Sequence, residues 1–510
     1  MFILVFDKEK NIMRKTIFAF MVLLLLVSLF GLARTSEATE ANRQRITVPD
    51  DYNKIQWAIG NATEGDTIYV RSGVYREHVT VDKNNLTLVG EDRYNTIIEG
   101  QGTGNVVTLR ARDATVSGFT MNNSGSKLYS GICVAVSNGN NITYNRITNN
   151  GYGILLFAST WNIVSHNVLI SNHVYAVLVS GSTNNTVTYN FLCNNSRGIL
   201  LSRATANKIT ENTASSNGEY GILLSASTGN IVVRNNFTSN AMYGIELSSS
   251  SGNWVLVNVA SENQYGIWLE YSNNNTVLGN TVSNNCKGTW LHQSNNNTFF
   301  HNNFVENVQQ VYDTSWNVSR VSPSINFWDD GYPSGGNWWS EHEGTDTGRD
   351  AVGDTPYVID VNNRDRYPLV SEFTAFDAGT YRGVSFYVDV VSNSSVSDFY
   401  FNPYDGAFLN FTVTGRNVGF CRVSIPRQLL WVEGGGWIVL VDKLSVVPSV
   451  FESENFTYLY FTYNHSSKIV HVGGTAVISE FPSTAISQLL LIVCFIAVTL
   501  MKWRCVRKEM

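Results

Sequence analysis

The chain has 510 residues, a formal net charge of -6 and only 15% charged residues. It carries no block rich in Lys or Arg, which excludes a nucleic-acid surface, because phosphate binding needs concentrated positive charge. The length exceeds what one hydrophobic core supports, so several domains or a repeat array are required, and the wealth of Asn, Ser, Thr and Gly suits a β-rich extracellular protein.

At the N-terminus, Lys8, Lys10, Arg14 and Lys15 precede an apolar run at 17–32, and small residues follow near Ala33 and Ala38. This predicts a signal peptide over 1–38. Residues 46–130 are expected to form an N-terminal cap and the first coils of a solenoid. Within them, 50–62 reads as an amphipathic helix with Asp50 or Asp51 as N-cap and Ile55, Ala58 and Ile59 on one face, suited to plugging the open end of a core.

Between 131 and 307 the sequence repeats every 22 to 23 residues. A small residue recurs at Gly131, Gly153, Ala176, Gly198, Gly221, Gly244, Gly266 and Gly288. One asparagine column begins at Asn140 and ends at Asn297, and another begins at Asn150 and ends at Asn307. The intervals hold short alternating apolar stretches and are too short for helices, so the repeat predicts strands of three to five residues separated by turns. Asparagine fits those turns because it tolerates left-handed backbone and pairs with its equivalent one coil away. Ile154, Val177, Ile222, Ile245 and Ile267 are expected to line the interior, as are Leu156, Val179, Leu224, Leu247 and Leu269. Cys133, Cys193 and Cys286 lie too many coils apart to form disulfides.

The stretch from Ile46 to Gly90, with Gly65-Asp66-Thr67-Ile68 and Gly73-Val74-Tyr75, resembles the opening of pectin-lyase-like proteins, and the repeat resembles the PbH1 repeats of archaeal surface β-helix proteins and of the NosD-like family. The resemblance implies an all-β right-handed parallel β-helix. From NosD-like proteins, a periplasmic family linked to copper-site maturation, it also implies copper handling as one alternative.

If the first and third residues after the small column point inward, the second and fourth point outward. The last coils then place Glu246, Trp268, Glu270, Trp290 and His292 on one outer face, with Tyr271 and Gln293 beside them. Flat indoles beside carboxylates are the ingredients of a sugar site, which makes Trp268, Trp290, Tyr271 and Gln293 candidate substrate-binding residues. Glu246 and Glu270 fall ~8 Å apart at Cα, a spacing compatible with an inverting pair, and His292 is expected within hydrogen-bond reach of Glu270, so Glu246, Glu270 and His292 are the catalytic candidates. The same residues also suit a surface that merely covers the helix or meets a following domain. The tyrosines before the small column, including Tyr152, Tyr175, Tyr243 and Tyr265, form a second ladder.

Residues 308–371 contain Asn326-Phe327-Trp328 and Asn337-Trp338-Trp339 and resemble the cap that closes archaeal β-helix proteins. In that resemblance Asp346, Asp350 and Asp354 stand where a calcium site is expected, although Gly348 and Arg349 depart from an oxygen-rich loop. From 374 to 477 longer alternating runs predict a small β-sandwich. Phe420-Cys421-Arg422-Val423, Ile425-Pro426 and Tyr460-Phe461-Thr462-Tyr463 resemble a domain found next to the membrane in archaeal surface proteins, which implies a spacer, with an adhesive role as the alternative. An apolar run at 485–501 followed by Lys502, Arg504, Arg507 and Lys508 predicts a transmembrane anchor with a cytoplasmic tail over 502–510. Sequons such as Asn61, Asn141 and Asn393 fit a glycoprotein whose bulk lies outside the cell. The reading is a cell-surface β-helix protein for carbohydrate recognition or envelope structure. The alternatives are a polysaccharide hydrolase or lyase and a NosD-like copper-handling protein.

Overall fold

The computed structural model describes residues 43–477, apart from 126, 317, 319, 320, 382, 405, 406, 434, 435 and 465. The expected signal peptide over 1–38, the anchor over 485–501 and the tail over 502–510 lie outside the described residues. Among those described, no helix is long and apolar enough to cross a membrane. The chain divides between Leu200 and Leu201 into two compact units.

The first unit is a parallel β-solenoid with three sheets. A representative turn runs from Ser130–Ala135 in the third sheet through Asn141–Thr143 in the first and Arg146–Thr148 in the second, back to Tyr152–Phe157 in the third. Successive turns pair in parallel register, so Ile142 lies between Val116 and Val164, and Ile154 beside Val177. These inward residues are fully buried, as the alternation predicts.

The N-terminal helix is shorter than the sequence suggests, Ile55–Asn61, and Lys54 occupies its N-cap position without a side-chain bond. Both expected caps are engaged elsewhere: Asp51 Oδ2 accepts the Thr47 N–H, and Asp50 pairs with Arg71. The free helix N–H groups of Ile55 and Gln56 donate instead to the two carboxylate oxygens of Glu77. Ile55, Ala58 and Ile59 are buried as expected, and the Gln56 amide exchanges two hydrogen bonds with the backbone of Thr80, closing the exposed strand edge as another strand would.

The second unit also opens with parallel solenoid turns built from three sheets. The first includes Ile231–Val233, Trp254–Leu256, Thr276–Leu278 and Thr298–Phe300, and the third includes Tyr243–Ser248, Tyr265–Glu270, Lys287–His292 and Gln309–Asp313. The small column is required by close approach: a Cβ on Gly221 would stand 2.8 Å from the Gly244 carbonyl oxygen and 2.7 Å from the Phe237 ring.

Asparagine ladders hold the corners of both units, and they are buried. In the second unit the Oδ1 of Asn258 accepts both the backbone N–H and the side-chain Nδ2 of Asn235, while its own Nδ2 donates to the Val232 carbonyl and to Asn280 Oδ1. This ladder, Asn212–Asn235–Asn258–Asn280–Asn302, is a third column lying midway between the two recognised in the sequence. The ladder asparagines are not the left-handed residues. That conformation falls on the residue just before each, whatever its type: Ser239, Val257, Glu262 and His301 have φ of 57°, 53°, 57° and 57°. Serines 227, 250, 272 and 294 make a fourth ladder, each Oγ accepting the N–H of its counterpart one coil earlier where both are serine.

The cap uses the same device. Asn326 and Asn337 top two ladders, accepting from Asn297 and Asn302, and two residues after each comes a tryptophan, Trp328 stacked on Phe299 at 4.3 Å and Trp339 on Phe304 at 4.4 Å. The repeated Asn-x-Trp thus terminates both a polar ladder and an apolar column. Asp365 receives the Trp339 Nε1–H, and burial pushes its carboxyl up to about 7.

The C-terminal part of this unit is two five-stranded antiparallel sheets around a shared core, beginning at Glu372, two residues earlier than predicted. It packs directly on the solenoid. Asn303 exchanges two 2.8 Å hydrogen bonds with the backbone of Phe373, and Arg422, 1% exposed, donates to the carbonyls of Pro333 and Ser334 with its guanidinium 4.4 Å over Tyr458.

Asn258→Ala is expected to cost roughly 2–4 kcal/mol, because it strands the buried Asn235 N–H and removes bonds to Asn235 Nδ2, the Val232 carbonyl and Asn280 Oδ1. The shift of the urea unfolding midpoint measures it.

Candidate functional site

The third sheet of the second unit positions the outer face singled out from the sequence. Ile245, Leu247, Ile267, Leu269 and Leu291 are fully buried beneath it and fix which side chains turn outward. Parallel register then aligns Glu246, Trp268, Trp290 and Tyr312 in one row, Tyr243, Tyr265 and Lys287 in a second, and Ser248, Glu270 and His292 in a third.

The first two rows merge. Tyr243 and Tyr265 stack at 5.4 Å and meet Trp268 edge-on at 4.9 and 5.0 Å, and Tyr265 lies 4.7 Å from Trp290. Sequence reasoning treated the tyrosine ladder and the tryptophan face as separate. They join because two consecutive inward residues, Gly266 and Ile267, bring residues three apart onto one side. Lys287 and Tyr312 were missed: the Lys287 ammonium sits 3.4 Å from the Tyr312 ring centroid and 5.0 Å from that of Trp290. A cationic residue replacing the ladder tyrosine, directly before Gly288, was the available signal.

Trp268 and Trp290 are half-buried, with ring centroids 3.5 Å apart, and both Nε1–H groups are buried without a hydrogen-bond partner. Beside them Glu246 is half-buried and has no hydrogen bond or ion pair among the described residues. Burial, reinforced by the charges of Glu219 and Glu270, pushes its carboxyl up to about 7. Burial and the Glu246 charge also push the Tyr243 hydroxyl up to about 12.

The third row is arranged differently from expectation. Glu270 and His292 are register neighbours, but His292 bonds elsewhere: Nδ1 to Thr314 Oγ1 at 2.7 Å and Nε2 to the Tyr271 hydroxyl at 3.2 Å. Glu270 accepts a long bond from Ser248 Oγ at 3.5 Å. Tyr271 and Gln293 occupy left-handed corner positions with φ of 49° and 46°, at the margin of the face, and Tyr271 is 49% exposed.

The acidic loop of the cap is held together by its own carboxylates. Asp346 accepts the N–H groups of Asp350 and Ala351, Asp350 that of Val352, and Asp354 the N–H and hydroxyl of Thr347. Among the described residues no three His, Cys, Asp or Glu side chains, Asp346, Asp350 and Asp354 included, gather as a metal site. The histidines are likewise dispersed: His166 is sandwiched between Tyr144 and Tyr189 at 4.8 and 5.2 Å, and His301 bonds to the Ser334 carbonyl. Cys133, Cys193 and Cys286 are free thiols.

Among solved structures, the Dettilon tailspike protein is similar with a TM-score of 0.44 and 14% identity, over 84% of this chain and 94% of that one. The A-module of the Azotobacter vinelandii mannuronan C-5 epimerase AlgE6 gives 0.41 and 16%, over 55% and 95%. An alginate lyase from Paenibacillus gives 0.35 and 15%, over 58% and 97%. No curated protein matches the sequence. A family model described as periplasmic copper-binding protein (NosD) matches residues 59–243 and 231–344. These stretches cover more than half of the chain, which therefore belongs to the NosD family.

Proposed function

We propose that this protein is an extracytoplasmic β-helix whose third-sheet outer face, around Trp268 and Trp290, recognises carbohydrate. The observation that carries the reading is the unpartnered Glu246 carboxyl beside a wall of four aromatic rings. Sugars present apolar C–H faces that stack on such rings and hydroxyls that pair with a carboxyl, so both halves of the site have a use. Tyr271 and Gln293, at the corner, extend the contact along the margin.

A polysaccharide hydrolase or lyase is the second reading. It is favoured by the same Glu246, which the aromatic surroundings hold protonated close to neutral pH, as a general acid requires, with Glu270 as the second carboxylate. His292 is tied to Thr314 and Tyr271 and fits a role in orienting Tyr271. Copper handling, the third reading, rests on the family's description. The residues do not fit it: among those described no three His, Cys, Asp or Glu side chains gather to hold a metal.

On a glycan array, the wild-type protein is expected to retain a defined set of glycans that the Trp268→Ala/Trp290→Ala variant loses; unchanged retention by the variant would remove the face from consideration. Glu246 supplies a separate check. Its carboxyl is raised when folded, so its contribution is fully present below the ordinary carboxylate range and lost as pH rises through about 7. Glu246→Gln should match the wild type in stability near pH 4 and exceed it by roughly 1–2 kcal/mol near pH 8, allowing for solvent screening. Loss of polymer cleavage in the same variant would select the catalytic reading.

A further inference from the structure

A cavity lies in the second unit, between the outer face of the first sheet and the sandwich, with a volume of about 550 Å³. Its solenoid wall is Leu256, Leu278 and Phe300, the outward residues that end three successive strands; its sandwich wall is Phe373, Phe386 and Phe456. The size and apolar lining are those of a site for a small organic molecule. Here one carboxylate, Asp389, enters it from the strand Val384–Ser392, half-buried and with no hydrogen bond or ion pair among the described residues.

The charged groups around Asp389 are largely engaged, although the buried Arg422 Nε–H has no hydrogen-bond partner among the described residues. Arg422 lies near enough to oppose part of its desolvation, but that guanidinium is directed at the Pro333 and Ser334 carbonyls and the Tyr458 ring. Arg234, on the solenoid side, pairs with Asp377 at 3.3 Å and lies over the Tyr387 ring. His301 is neutral: burial holds it down to about 4, and its Nε2–H donates to the Ser334 carbonyl while its ring stacks on Phe373 at 4.6 Å. Asp330 adds a second carboxylate at the exposed rim. An anionic ligand would therefore meet two carboxylates while, among the described residues, the nearby guanidinium groups are held by the Pro333 and Ser334 carbonyls, the Tyr458 ring and Asp377, and a neutral ligand without a donor group would leave Asp389 unpaired among phenyl rings. A cation satisfies both the carboxylate and the ring faces.

We propose that this cavity binds an organic cation with an apolar body, its ammonium group paired with Asp389 and its body held between the leucine and phenylalanine walls. Burial raises the Asp389 carboxyl to about 7, so affinity for the cation should increase as the pH rises through neutrality.

The test is calorimetric titration of the full chain with phenethylammonium, 2-phenylethanol and 3-phenylpropanoate, three probes of similar shape and different charge. Near pH 8.5 the ammonium is expected to bind about ten-fold more tightly than the alcohol and the carboxylate most weakly, a preference that shrinks near pH 5.5. Asp389→Asn should abolish the preference and retain the alcohol, while Asp330→Asn and the Trp268→Ala/Trp290→Ala variant should keep it. Equal binding of ammonium and alcohol by the wild type, no heat from any probe, or a preference surviving in Asp389→Asn overturns the proposal. The wild-type ranking decides the matter should the variant not fold.

Discussion

The buried asparagine carboxamide is the interaction on which the solenoid depends. Every corner of a parallel coil leaves backbone N–H and C=O groups out of the sheet ladders, and burying them without partners would cost about 1–3 kcal/mol each. An inward asparagine answers this with one side chain: Oδ1 takes the N–H and Nδ2 of the preceding coil, while Nδ2 reaches a carbonyl of that coil and the next asparagine. The chain makes the same provision at three corners per turn and uses serine at a fourth. Because each link joins equivalent residues of adjacent coils, the ladders fix register as well as satisfying polar groups.

Fixed register makes an outer face chemically specific. With inward positions held by isoleucine and leucine and corners pinned by carboxamides, outward positions form straight rows, and a substitution in one coil lands beside its counterpart in the next. Exchanging leucine for glutamate and tryptophan in three successive turns therefore builds the Glu246–Trp268–Trp290 row without disturbing the core. The cost appears locally, as two indole N–H groups without partners and a carboxyl held protonated near neutrality. The sandwich fastened to the same unit adds a second environment, in which an apolar cavity is penetrated by Asp389.

The repetitive part of this architecture was legible because periodicity makes each coil confirm the next: the repeat length, the inward columns and the outward rows all follow from it, while the sandwich was read separately from its longer alternating runs. The middle asparagine ladder was equally written in the chain, at Asn145, Asn167 and Asn190, and escaped notice because short strands surround it. Placing asparagine in the left-handed turns was an error of one residue, since a side chain that must point inward cannot also be the residue that bends the corner. The helix cap failed for a tertiary reason, Asp50 and Asp51 having been taken by Arg71 and Thr47. His292 shows the limit of spacing arguments: register brings backbones together, and local partners then decide where an imidazole bonds. The Asp389 cavity carried no sequence signal, being formed by segments of the solenoid, its cap and the sandwich that lie far apart in the chain.

Amide hydrogen exchange at the ladder asparagines tests the central claim most directly. The backbone N–H groups of Asn230, Asn235, Asn240, Asn253 and Asn258 belong to turns, yet each donates to a carboxamide oxygen inside the core. They are expected to exchange as slowly as strand amides at the centre of the sheets. Exchange at the rate of open surface turns would show that the carboxamides do not hold the corners and would contradict the account.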